Sequence, residues 1–237
     1  MPWHNWVRDV EIEPSLYAAD FSILGTQVER LLDAGARVFH FDVGDGRFVE
    51  PVTMGPIVLR SIADAIHARG AHVDCHLMVV EPERQIPQLA AAGGDSVTFH
   101  VEAAADPAGA IALAREHGLG VGVAFRPDTE VERAIEAAAG VDFVLCMSIH
   151  PGYSGQRFMP SSLERLARLR AALPDETLVQ VDGGIDSSNV GDVAAAGAHL
   201  VVSGSAIFEP PDIVRAYVRL CELAEGAIGE GVSEATG

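Results

Sequence analysis

Three short apolar runs end on residues able to bind a cation or move a proton. VFHFDVGDG carries His40 and Asp42, VDCHLM carries His76, and LVQVDGG carries Asp182. Imidazole and carboxylate are ligands of intermediate hardness, so this set accepts zinc, iron(II), manganese or cobalt without forcing one ion. Two histidines and two carboxylates at strand ends read as metal-assisted proton transfer.

Successive side chains on a strand point to opposite faces, so His40 and Asp42 share one face and Phe39 and Phe41 the other. Asp74 and His76 share a face in the same way, and Asp74 is expected either to orient His76 or to make a buried structural hydrogen bond. In a closed parallel barrel the inward face at the C-terminal strand ends is the catalytic mouth, while Phe41, Val73 and Cys75 suit the outward shell under helices.

Such a barrel needs eight βα units, and the chain supplies them. β-rich runs near 11–16, 37–43, 71–78, 95–101, 119–125, 141–149, 177–182 and 199–203 alternate with amphipathic segments near 22–34, 56–69, 82–92, 107–117, 130–138, 160–172, 187–196 and 210–225. Gly-bearing stops at 34–36, 92–94, 117–119 and 196–198, and Pro82 and Pro107 at helix starts, agree with that count. The fold class expected is a single α/β domain, a (β/α)8 TIM barrel over 1–225, with a Gly-, Glu- and Ser-rich tail at 226–237 disordered outside it.

With 237 residues, 49% of them hydrophobic, the chain can bury a large core; its net charge of −18 excludes general nucleic-acid binding. An acidic chain still binds phosphate where Gly-rich turns offer backbone N–H groups. HPGYSGQ at 150–156, DGG at 182–184 and SGSAIF at 203–208 follow the last three strands, where this fold commonly holds a phosphate, and Gly184, Gly204 and Ser205 are the best candidates. Cys75, Cys146 and Cys221 are read as buried structural thiols of a reducing compartment. Neither a signal segment nor a membrane-spanning apolar stretch is seen, so a cytoplasmic location is expected. Trp3 and Trp6 are expected to close the barrel bottom, and His100 is read as a structural strand residue.

From Glu13 to Phe208 the chain resembles the ribulose-phosphate 3-epimerase family, through PSLYAADF, HFDVGDGRFV, DCHLM, VTFHVEA, VLCMSIHPGYSGQRF, VDGGI and GSAIF in order. The resemblance implies a barrel of the ribulose-phosphate-binding type that inverts C3 of a ketopentose 5-phosphate, interconverting ribulose and xylulose phosphates. It implies one divalent metal ion per subunit, zinc or iron(II) first, held by His40, Asp42, His76 and Asp182, with Asp42 and Asp182 as the acid/base pair. Ser15, His76, Met78, Met147, the loop of Gly152, Tyr153, Ser154 and Gly155, then Asp182, Gly183, Gly184, Gly204 and Ser205 fall on substrate- and phosphate-binding positions. Homo-oligomers are implied as well. The chemistry is coherent: removing a proton alpha to a ketone makes an enediolate that a cation stabilises, and inversion returns a proton from the other face.

Departures cluster in loops. Gly44 replaces a methionine that shields the enediolate, which predicts a gap or a freer loop; Glu50, Tyr17, Arg126, His150, Tyr153 and Ser154 also differ from the family pattern. Arg126 and His150 offer donors to an added hydroxyl or anionic group, so an epimerase of a different ketose phosphate is the alternative, ahead of a barrel that binds a sugar phosphate without turnover. Orotidine-phosphate decarboxylase-like barrels expect a DxKxxD cluster, and DVGDGR lacks that lysine.

Overall fold

The computed structural model describes residues 6–234. Eight parallel strands, β1 (Glu11–Pro14), β2 (Val38–Gly44), β3 (His72–Met78), β4 (Ser96–His100), β5 (Gly120–Phe125), β6 (Phe143–Met147), β7 (Leu178–Asp182) and β8 (Leu200–Ser203), alternate with helices α1 (Leu24–Asp33), α2 (Pro56–His67), α3 (Pro82–Ala92), α4 (Pro107–Glu116), α5 (Val131–Ala137), α6 (Ser161–Ala172) and α7 (Val190–Ala195). A four-residue helix, α8 (Ser205–Phe208), and the long α9 (Ile213–Glu234) complete the chain. From β2 to β8 each strand pairs with its sequence neighbour, β1 pairs with β8, and an isolated parallel bridge between Ser15 and His40 nearly closes β1 onto β2. This is a (β/α)8 TIM barrel.

Alternation along the strands sorts two cores. Outward residues such as Phe39, Phe41, Val73, Cys75, Val121 and Val144 are buried against the helix ring. Inside, Val38, Phe143, Leu178 and Leu200 form the bottom layer, with Trp6 packed on it and stacked on His72 at 3.7 Å. Trp6 therefore closes the barrel bottom as expected, while Trp3 lies outside the described residues. Phe143 fits because Gly122 sits beside it on β5: a Cβ there would stand 2.3 Å from the Phe143 ring. Cys75 and Cys146 are buried and Cys221 partly so, all three as free thiols.

Helix ends follow their punctuation. Gly93 caps α3 in the left-handed region at φ 99°, where a side chain would be strained. The final helix differs from the expectation of an end near 225. It runs on to Glu234, because Gly191 of α7 lets α9 pack closely, with Ala227 Cβ and Leu223 O near the position its own Cβ would take. Packing against α7 thus carries the helix past Gly226; residues 235–237 lie outside the described residues. Among the described residues no helix is long and apolar enough to cross a membrane.

Candidate active site

Strand register builds the site. In the β2–β3 ladder His40 lies opposite Asp74 and Asp42 opposite His76, all on the inward face. Asp182 ends β7 on the far side of the barrel, and ligand atoms of His40, Asp42, His76 and Asp182 all fall within 4.8 Å of one another. His76 Nδ1 is 3.1 Å from Asp42 Oδ1 and 3.8 Å from Asp182 Oδ2, and His40 Nε2 is 3.3 Å from Asp42 Oδ1. Ser15 donates its hydroxyl hydrogen to Asp42 Oδ2 at 2.7 Å.

These four residues could hold a metal ion, and the donor set fits one. Both ring nitrogens of His40 are buried without a hydrogen-bond partner of good geometry, an expensive arrangement that a cation at Nε2 would resolve. Burial disfavours a charged His40, yet the Asp42 charge and the nearby Asp74 and Glu13 carboxylates outweigh it and hold its pKa well above the ordinary value. Three carboxylates around one buried imidazole call for positive charge. Glu13, His40 and Asp74 form a second close group, but Gln180 Nε2 already donates to Glu13 Oε2 at 2.6 Å and Asp74 Oδ2 at 3.0 Å, and burial lifts the Glu13 carboxyl to about 7. That group supports His40 from below.

Of the two expectations for Asp74, the buried hydrogen bond is the one seen: Ser96 and Thr98 donate to its Oδ1, while its Oδ2 attends His40 and not His76, 3.3 Å from His40 Nδ1. Cross-strand partners lie closer than residues two apart on one strand, so register decides the pairing. The residue that meets His76 is His100: their Nε2 atoms are 2.9 Å apart. His100 is fully buried, which pulls its pKa down to about 4 despite a Glu102 carboxylate 3.3 Å from Nδ1, so it is neutral at physiological pH. Sequence reading left His100 as a strand residue and passed over Glu102; the available signal was the inward parity His100 shares with Ser96 and Thr98.

The two acid/base candidates are electrostatically distinct. Burial raises Asp42, but the His40 charge and the two imidazoles set against its oxygens override it and hold the carboxyl far below its usual range. Burial and the Asp42 charge together push Asp182 up to about 6, only partly offset by the histidines.

Above this floor is a pocket lined by Ser15, Tyr17, Asp42, Met78, Met147, the 151–155 loop, Asp182, Gly183, Gly184, Gly204 and Ser205. His40 and His76 are fully buried beneath it and do not line it. Gly184 has no space for a side chain, since a Cβ would meet Phe158 N at 2.4 Å and Gln156 O at 2.7 Å, and the loop after β6 thereby packs on the turn after β7.

The loop departures are placed differently from expectation. Gly44 leaves no gap: its Cβ position is taken by Pro51 O at 2.8 Å, Val49 Cγ2 at 3.0 Å and Thr53 Cγ2 at 3.1 Å. The β2–α2 loop folds onto it, with Thr53 Oγ1 bonded to both Gly44 N and Asp42 O at 2.6 Å. Arg126 braces that loop. Its guanidinium lies 4.0 Å over the Phe48 ring and donates to Phe48 O at 2.9 Å, so it is turned away from the pocket. His150 is exposed beside Asp128. Of the departures, Tyr17, Tyr153 and Ser154 line the pocket.

Comparison with known proteins fits this geometry. A profile of the Ribulose-phosphate 3 epimerase family matches residues 11–208. The chain belongs to that family. The Ribulose-phosphate 3-epimerase of Escherichia coli strain K12 is 40% identical over 204 residues, covering 85% of this chain and 90% of its own. The Schizosaccharomyces pombe enzyme of the same name is 42% identical over 198 residues, 84% and 86% of the two chains. Among solved structures, 3-hexulose-6-phosphate synthase from Salmonella typhimurium superposes with a TM-score of 0.71 over 92% of this chain and all of its own at 18% identity, a likeness of fold. As a ribulose-phosphate 3-epimerase-like protein, the chain is an isomerase acting on carbohydrates.

Proposed function

We propose that this enzyme inverts C3 of a ketopentose 5-phosphate, interconverting D-ribulose 5-phosphate and D-xylulose 5-phosphate by two-base proton transfer. The observation that carries the reading is the pair Asp42 and Asp182, both bordering one pocket and displaced in opposite directions from the ordinary carboxyl pKa. Below about pH 6 one is ionised while the other keeps its proton, the opposite states that abstraction on one face and return on the other require.

Asp42 takes the C3 proton and Asp182 returns one to the opposite face; in the reverse direction they exchange roles. Ser15 spends its hydroxyl hydrogen on Asp42 Oδ2 and so fixes the carboxylate plane. Met78 and Met147 line the reacting centre and keep water from the enediolate, and the 152–155 loop, Gly183, Gly184, Gly204 and Ser205 receive the phosphate end through backbone amides. His40, Asp42, His76 and Asp182 would hold one divalent cation, zinc or iron(II) by the family resemblance, which would supply positive charge to stabilise the enediolate. Gly44, Arg126 and His150 stand outside the pocket, which supports the pentulose reading, while the departures Tyr17, Tyr153 and Ser154 line it.

Turnover of D-ribulose 5-phosphate in heavy water by zinc- or iron(II)-loaded enzyme, followed by NMR, tests this. Xylulose 5-phosphate carrying deuterium at C3, with activity lost on chelation, is the expected result. Exchange at C3 with little epimerisation would move the assignment to another ketose phosphate, and no exchange would overturn the proton chemistry.

A further inference from the structure

His76 has a buried partner that the reaction scheme does not use. Glu102, just after β4, accepts at Oε1 from the Arg126 backbone N–H at 3.0 Å and from the Thr129 hydroxyl. With Oε1 taken, Oε2 faces His100 Nδ1 at 3.3 Å. An ionised carboxylate only accepts, so His100 carries its proton on Nδ1, and a neutral imidazole protonated there offers a lone pair at Nε2. That lone pair meets His76 Nε2 at 2.9 Å. The hydrogen between the two rings therefore belongs to His76, whose Nδ1 is left for the cluster of Asp42 and Asp182.

We propose that His100 and Glu102 are positioning residues: a hydrogen-bond relay from Glu102 through His100 keeps the His76 proton on Nε2 and presents the Nδ1 lone pair to the metal ion. This rests on the metal reading above. Geometry seals the relay on both sides. Phe48 from the β2–α2 loop packs on the His100 ring with centroids 4.8 Å apart, and Arg126 lies over Phe48, so the rings of His76 and His100 are both fully buried. The Arg126 backbone fixes Glu102 while its side chain holds Phe48 over His100, which ties the two halves of the seal to one residue.

The relay makes an unusual ordering of variants. Glu102→Gln turns an amide N–H toward His100 Nδ1 because Oε1 stays committed to Arg126 and Thr129; the hydrogen between the rings then moves to His100, and His76 must shed a proton from Nδ1 to bind metal. His100→Phe fills the same space under Phe48 but removes the acceptor, whereas His100→Gln sacrifices packing but keeps an amide oxygen for His76. Zinc affinity, measured by competition with a chromophoric chelator, is expected to fall about 10- to 100-fold in Glu102→Gln and His100→Phe and to stay within about 3-fold in His100→Gln. A packing role predicts the reverse order for the two His100 variants.

Imidazole 1H–15N NMR of the wild-type protein reads the relay directly, with or without zinc. The hydrogen shared by the rings is expected on His76 Nε2; finding it on His100 Nε2, or zinc binding as tight in His100→Phe as in wild type, overturns the proposal. If wild-type enzyme takes up no zinc at these residues the metal reading fails, while NMR of the metal-free protein still decides where the hydrogen lies. The same measurement decides the matter if a variant does not fold.

Discussion

Asp42 and Asp182 show how two identical carboxyls acquire different work. Asp42 is buried and Asp182 partly so, but the histidines crowd Asp42 while Asp182 meets the Asp42 charge, and the pair is driven apart in proton affinity. Asp182→Asn keeps the shape and removes the transferable proton. It is expected to lower kcat at saturating metal about 10²- to 10⁴-fold and to slow the appearance of C3-deuterated xylulose 5-phosphate to the same extent, with circular dichroism unchanged. Near-normal turnover would remove Asp182 from the mechanism. Gly44 carries a different lesson, since absence of a side chain there means contact and not space. Gly44→Met forces a side chain against Pro51 O and Thr53 and is expected to cost about 1–3 kcal/mol, a fall of several degrees in Tm at this chain length. A melt equal to wild type would mean that the β2–α2 loop moves aside freely.

At the scale of elements, the β2–α2 loop is a cover built from three neighbours. Asp45 accepts from Arg47 N and Phe48 N at 2.8 Å and from Val80 N at 2.9 Å, Thr53 pins the loop to the end of β2, and Arg126 at the end of β5 clamps Phe48. Glu50 reaches the Tyr153 hydroxyl and raises its pKa, which links this cover to the loop after β6. Arg126→Ala keeps the backbone N–H that serves Glu102 but removes the guanidinium's hydrogen bond and its ring contact. The loss, about 1–3 kcal/mol of local stability, is expected to speed amide exchange across residues 46–53 by about 5- to 150-fold, leaving the strands protected. Uniform exchange rates in variant and wild type would show that the clamp contributes nothing.

Across the whole molecule, acidity is managed at the barrel bottom as well as at its mouth. Glu11 opens β1 fully buried, with Oε2 unpartnered and Arg8 Nε 3.9 Å away; burial outweighs Arg8 and Arg37 and lifts its carboxyl to about 7. Between the ordinary carboxyl value of 4.5 and about 7 the folded state keeps a proton that the unfolded chain has released, so stability falls as pH rises through that window and the penalty is complete above it. Glu11→Gln removes the ionisation. Its unfolding free energy relative to wild type, read from denaturant melts, is expected to be higher at pH 8 than at pH 5 by an amount on the order of 3 kcal/mol or less, using about 1.4 kcal/mol per pKa unit. An equal difference at both pH values would place the Glu11 pKa near its unfolded value.

Much of this protein was legible in order along the chain. Eight alternating βα units, Gly-terminated helices and strand parity led to the barrel, and parity alone put His40, Asp42 and His76 on one inward face, because both periodicities are local properties of the backbone. Pairing between strands is not local. That Asp74 serves His40, that His100 serves His76, and that Gln180 ties Glu13 to Asp74 depend on register across the barrel, which the hydrophobic pattern of one strand does not specify. Loop identity was misleading for the same reason: Gly44, Arg126 and His150 acquire their surroundings from chain segments far away in sequence. Residue type and spacing determined which groups were available for chemistry, and closure of the barrel decided which of them touch.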